Sequence, residues 1–265
     1  SASAPNLGGS GFLRHLGLAN VSYVLPAGKG LTVQGGIFGS VIGYDSLYAR
    51  DNLNYTRPWG ADFTPYLMLG VNARYPLTKK LTGTAYVVNG YWHLANANRV
   101  PSSGVQLAYR VSPGVTVRHT VFAGPHQSNT ALGFWRFLSD TVVERRSGRF
   151  VLAVNGHVAT ERVDQPAAFR AWWAALQAPM RWNVRGPWSV AVRPEIAHDS
   201  SGRWTLAEQT VKALTTTFEY RAAYARSGMI LRMEHRVDHS TGPQGGFFAD
   251  FERRPGVVAL RPTQH

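Results

Sequence analysis

The strongest chemical signal is a set of charged residues spaced two apart within alternating stretches. Arg74, Arg110, Arg118, Arg149, Arg193, Arg221, Arg232 and Arg236 fall on the polar side of such stretches, with Glu195, Glu219, Glu234 and Asp238. Residues two apart on a strand share a face. A shared face of this kind supports two kinds of chemistry. The charges can pair across strands and merely fill an interior. Alternatively, a surplus of arginine can line a hydrated path that repels cations and prefers anions. Other chemistry is poorly served. His235, Asp238 and His239 match no zinc ligand spacing, and His235 and Asp238 point to opposite faces of a strand. His126 with Ser128, and His198 with Ser201, lie in polar connections, and a Ser–His–acid site is defined by geometry that sequence proximity does not supply. The glycine pairs at 8–9 and 35–36 are not followed by the Lys-Ser/Thr and helix of a phosphate loop. No catalytic residue, metal or cofactor is expected, and the chain reads as a non-enzyme.

Composition narrows the partners. The 265 residues contain no cysteine, which excludes thiolate metal, haem c and Fe–S sites. Lys plus Arg is 28 against 15 Asp plus Glu, a net charge of +13. Such a charge favours an anionic partner. The arginines are dispersed one or two per strand, unlike the patch of a nucleic-acid binder, so nucleic acid is not expected. No run of about 18 apolar residues exists, but strands that put only alternate residues against lipid escape that test.

The elements that must position these charges repeat as strand, short turn, strand, long polar connection. Leu67, Leu69, Val71 and Ala73 alternate with Gly70, Asn72 and Arg74; Val115, Val117, His119 and Val121 alternate with Thr116, Arg118 and Thr120. Most such stretches run about 9–12 residues, the length that crosses a bilayer at a tilt of about 45°. Short turns are expected at 26–30, 76–80, 112–114, 147–148, 185–187 and 226–228. Long connections are expected at 40–61, 94–103, 124–130, 161–166, 198–205 and 239–255. This alternation of turn lengths marks an all-β, antiparallel up-and-down transmembrane β-barrel of roughly 12–16 strands, with short periplasmic turns and long extracellular loops. Residues 167–178 have helical spacing through Phe169, Trp172, Trp173 and Leu176, yet a strand there keeps the meander in register. Tyr44, Tyr48, Tyr55, Trp59, Phe63 and Tyr66 on one side, and Trp182 and Trp188 on the other, read as aromatic belts at headgroup level. No internal plug segment is evident.

Residues 19–33 (ANVSYVLPAGKGLTV), 36–39 (GIFG), 42–44 (IGY), 50–57 (RDNLNYTR), 70–75 (GVNARY) and 86–91 (YVVNGY) resemble the OmpL-like β-barrel porin family. Residues 51–55 with 86–90 are the most specific part. The resemblance implies a channel of the Gram-negative outer membrane, with lipid and lipopolysaccharide around it and small solutes or anions passing through. It also implies a barrel of roughly 16 strands, so residues 1–265 are expected to form one domain lacking N-terminal strands and a C-terminal closing strand. A homo-oligomer or a larger membrane complex is compatible with it. The competing class is a scaffold barrel that sheaths a partner protein without free conductance.

Overall fold

The computed structural model describes residues 17–91, 94, 99–125, 134–163, 170–224, 227–243 and 246. The described residues form one antiparallel sheet of 13 strands. In order these are β1 (Ala19–Leu25), β2 (Leu31–Gly39), β3 (Leu67–Pro76), β4 (Leu81–Val88), β5 (Ser102–Ser112), β6 (Val115–Pro125) and β7 (Trp135–Ser147). They continue as β8 (Phe150–Arg162), β9 (Arg170–Gln177), β10 (Met180–Arg185), β11 (Trp188–Asp199), β12 (Gln209–Tyr224) and β13 (Ser227–Thr241). Neighbours in sequence pair in space, apart from one interruption. Both β9 and β10 lie between β8 and β11, as two collinear halves of one strand. The break falls at Pro179, which has no N–H to give to a ladder. Its carbonyl still accepts from Ala153 N at 2.9 Å, and Ala178 N donates to Pro194 O at 3.0 Å.

The segment with helical spacing is a strand over Arg170–Gln177; residues 167–169, Phe169 among them, lie outside the described residues. Ala171, Trp173 and Gln177 are buried while Arg170, Trp172 and Leu176 are exposed, a two-residue period. Its alanines favour a helix by intrinsic propensity, and the ladders offered by β8 and β11 override that preference. The short turns join strands at one end of the sheet and the long connections at the other. Among the described residues, β1 and β13 are the two edges and do not pair with each other. Leu16 and Val257, whose meeting would close the sheet, lie outside the described residues.

The two faces differ sharply. On β8, Val151, Ala153, Asn155, His157, Ala159 and Glu161 are buried, whereas Phe150, Val154, Val158 and Arg162 are exposed. The exposed face carries Leu107, Phe137, Trp188, Phe218 and Met233, each 45–69% accessible. Such a surface is unfavourable in water and suited to hydrocarbon. Every carboxylate on a described strand, from Asp140, Glu144 and Glu161 to Glu195, Asp199, Glu219, Glu234 and Asp238, lies at a register position of the opposite, concave face. The core sits on that face near the long connections. Phe38, Phe63, Met68, Tyr86, Tyr91, Phe122, Leu138 and Trp173 pack there together.

Candidate functional site

The connection between β2 and β3 does not project outward. It turns back and lies across the concave face. Gly43, at φ 83°, makes a turn that residues with a side chain rarely adopt. Gly43 N donates to Asp140 on β7 at 3.0 Å, and the Val41 carbonyl accepts from Thr120 Oγ1 on β6 at 3.1 Å. Gln177 Nε2 on β9 donates to Asp45 at 2.5 Å. Further along, Glu234 on β13 accepts from Tyr55 N at 2.6 Å, Thr56 N at 2.9 Å, Thr56 Oγ1 at 2.5 Å and Thr217 Oγ1 at 2.6 Å. A short helix, α1 (Trp59–Asp62), ends the insertion. Trp59 N donates to Glu195 at 2.8 Å and its indole to Asp238 at 2.7 Å. One loop thus touches inward side chains from β5 to β13, so the sheet curls around it.

This geometry corrects four expected belt positions. Tyr44 packs on Leu53 with inward Val151 and Ala191, and burial with the nearby Glu144 carboxylate pushes its phenol pKa up. Tyr55 and Trp59 are tied to β13 from the concave side. Tyr66 donates to Asp62 at 2.8 Å, with the Arg57 guanidinium 4.3 Å over its ring. None of the four lies on the outer rim. The reason is polar: the backbone groups of this aromatic-rich segment find charged partners inside. The expectation that no internal plug exists fails for the same reason. Tyr48 and Phe63 belong to the same inserted loop. Trp182 and Trp188 differ, for they point outward beside the short turn between β10 and β11, each 56% exposed.

The charged set divides into two populations. One anchors the loop. Arg193 donates to Thr56 O, Arg232 to Ala49 O and Asn52 O, and Arg236 to Arg57 O. These same residues pair with acids: Arg193 and Arg236 with Glu195 at 3.5 and 3.1 Å, Arg236 with Asp238 at 2.8 Å, and Arg232 with Glu219 at 2.7 Å. Arg221 shares Glu219 at 2.5 Å. Asp45 belongs to this population. Burial raises its carboxyl pKa, opposed by the Gln177 hydrogen bond and the Arg193 charge.

The second population lies toward the short turns. Arg74, Arg110 and Arg118 occupy inward register on β3, β5 and β6 and make no ion pair among the described residues. Arg149 sits in the turn between β7 and β8, its guanidinium 3.5 Å from Val184 O. Sequence reasoning missed Arg181, inward on β10 and within electrostatic reach of Arg146 and Arg221. It also missed Arg136, fully buried against Glu161 at 2.8 Å with the rings of Tyr91, Trp173 and Trp204 around its guanidinium. Alternation is masked on β7 because Leu138 and Val142 are also inward, leaving both faces apolar.

The weaker candidates fall apart. His235 faces outward and Asp238 inward, and no cluster of three metal-ligating residues occurs among the described residues. His198 bonds Thr210 on the outer face, while neighbouring Asp199 faces inward and accepts from the Arg203, Trp204 and Thr205 N–H groups. His126 and Ser128 lie outside the described residues.

Comparison with known proteins follows the same lines. The family model described as putative beta-barrel porin-2, OmpL-like, matches residues 2–255. Among solved structures, the outer membrane channel DcaP of Acinetobacter baumannii is similar at a TM-score of 0.56 and 8% identity, over 83% of this chain and 84% of that one. OmpT, an outer membrane protein of Vibrio cholerae, is similar at 0.55 and 12% identity, over 80% of this chain. The similarity spans 66% of the OmpT chain. At these identities the likeness is one of fold. No curated protein matches the sequence.

Proposed function

The chain belongs to the OmpL-like family of putative β-barrel porins of the outer membrane, and from that premise we propose that it is a passive diffusion channel preferring small anions. The observation that carries the preference is a set of unmatched arginines on the concave face. Most arginines there are matched by carboxylates or by carbonyls of the inserted loop, among them Arg146 on Glu144 and Arg221 and Arg232 on Glu219 near the short turns. Arg74, Arg110, Arg118 and Arg181 make no ion pair among the described residues. A solute passing the loop meets net positive charge in a confined, partly desolvated space, where Coulomb terms exceed those in bulk water. The loop sets the width and the arginines set the sign. No step of chemistry is required of either, so the chain is read as a non-enzyme.

A scaffold that sheaths a partner protein is the competing reading. The inserted loop already occupies the concave face, which weighs against it. Swelling of liposomes holding the purified protein tests the proposal. An anionic solute is expected to enter faster than a neutral one of equal size. Replacing Arg110, Arg118 and Arg181 together with Gln should remove most of that advantage. Equal rates for both solutes in the unaltered protein would refute the preference, and no swelling with a folded barrel would refute the channel.

A further inference from the structure

The concave face is not uniform around the sheet. Every carboxylate of the described strands sits on β7 to β13, and β1 to β6 carry none. The inserted loop fastens itself to the acidic half through Asp140, Glu195 and Glu234, and reaches β5 and β6 through the Val41 carbonyl. On β1, β2 and β3 a row of side-chain amides is left facing the lumen. Asn72 Nδ2 donates to Gln34 Oε1 at 2.9 Å, Gln34 Nε2 to Asn20 Oδ1 at 2.8 Å, and Asn20 Nδ2 to Ile37 O at 2.9 Å. No hydrogen bond among the described residues joins these three side chains to the inserted loop. One row nearer the short turns, Arg74 stands in register between Thr32 and Thr84, without an ion pair among the described residues. One row the other way, Gly36 faces Gly70, so no side chain overhangs the amides from that side.

A side-chain amide offers two N–H donors and a carbonyl with two lone pairs. The row spends only part of that capacity. The second N–H of Gln34 and the Oδ1 of Asn72 have no partner among the described residues. Each amide is pinned by its neighbour, so these groups are held in place for a solute that both gives and takes hydrogen bonds. A hydroxyl does both. A wall arranged for hydroxyls discriminates against an analogue lacking them, because its own polar groups are then left unpaired. Arg74, two residues from Asn72 on the same face, adds a planar fork that matches a carboxylate. We infer that the β1–β4 side of the lumen is a subsite for polyhydroxylated carboxylates, the sugar acids. The carboxylate lies on Arg74, and successive hydroxyls lie on Thr32, Asn72 and Gln34. The subsite presupposes the anion channel proposed above and gives it a solute class.

The test uses the full chain in a planar bilayer carrying chloride current, with three added solutes of similar size. Gluconate has both hydroxyls and charge, the anion of 2-(N-morpholino)ethanesulfonate has no hydroxyl, and sorbitol has no charge. Gluconate is expected to interrupt the current at about tenfold lower concentration than the sulfonate, the ratio that one or two net hydrogen bonds supply. Sorbitol should be weaker than gluconate as well. Gln34→Leu/Asn72→Leu should bring gluconate to the level of the sulfonate, with folding read from heat-modifiable migration in SDS gels. Thr32→Val removes a hydroxyl that takes no part in the amide row, so it tests the subsite even if the amide variant does not fold. It should weaken gluconate about threefold without moving the sulfonate. Arg74→Gln should weaken both anions alike. Equal potency of gluconate and the sulfonate in the parent overturns the subsite and leaves the anion preference standing. A folded amide variant that keeps the tenfold gap overturns it too. A silent membrane overturns the channel itself, and the subsite with it.

Discussion

Glu234 holds more of the inserted loop than any other side chain, through two backbone N–H groups, one hydroxyl and a bridge to Thr217. Hydrogen bonds to a charged acceptor contribute roughly 1.5–3 kcal/mol. Glu234→Ala should therefore leave the β12–β13 ladder intact and speed hydrogen exchange at Tyr55 and Thr56 at least about tenfold; unchanged exchange would show that the loop is held elsewhere. Asp45 works in the opposite sense. Its folded pKa is raised, chiefly by burial, so its protonated form is the one the loop favours. Its contribution is fully present below the unfolded pKa and is lost as pH rises through the folded one. Gln177, Arg193, Arg57 and Asp62 surround it and oppose or add to that shift. Asp45→Asn keeps the acceptor for Gln177 and removes the charge. It should raise the thermal midpoint above that of the parent at neutral pH, with the difference vanishing in acid. Much of the residue scale was legible, because alternation alone placed Arg193, Glu219 and Arg232 on the inward face. The loop partners of the two arginines were not legible, because they are carbonyls more than a hundred residues away in sequence.

Turns were the most readable elements. Five of the six short connections occur where they were expected, since Gly and Pro punctuate each one; residues 225–226, between β12 and β13, lie outside the described residues. The inserted loop was read as an outward one because its aromatics suit a membrane rim as well as a packed interior. Only the three-dimensional supply of inward partners distinguishes the two. A Cβ at Gly60 would stand 2.5 Å from Ala175 Cβ on β9, so α1 seats there only with glycine. Gly60→Val should unseat the loop while leaving the barrel folded, raising solute entry without loss of heat-modifiable migration in SDS gels. Gly104 presents the contrasting case. A Cβ there would strike the Val121 carbonyl and the Tyr86 hydroxyl. Gly104→Val should disrupt the pairing of β5 with β6 and abolish the folded band altogether.

At the scale of the whole molecule, the sheet sorts its charges by face. Acids and most arginines turn toward the loop, and hydrocarbon covers the other side. An arginine on the lipid face of a barrel costs roughly 2–4 kcal/mol at the midplane. Leu214→Arg, outward on β12, should cut folding into lipid vesicles, whereas Thr116→Arg, inward near the short turns, should be tolerated. The up-and-down order was visible in the sequence because each strand carries its own period and each turn its own stop. Curling of the sheet around one of its own loops was not, since it depends on contacts with strands far apart in sequence, from Gln106 on β5 to Glu234 on β13. The central question is whether that concave face passes anions. The direct measurement is the reversal potential of single channels in a planar bilayer under a potassium chloride gradient. A potential displaced toward the chloride equilibrium value, and moved back toward zero by the Arg110, Arg118 and Arg181 replacements, is predicted; a potential on the potassium side, or one indifferent to those replacements, would contradict it.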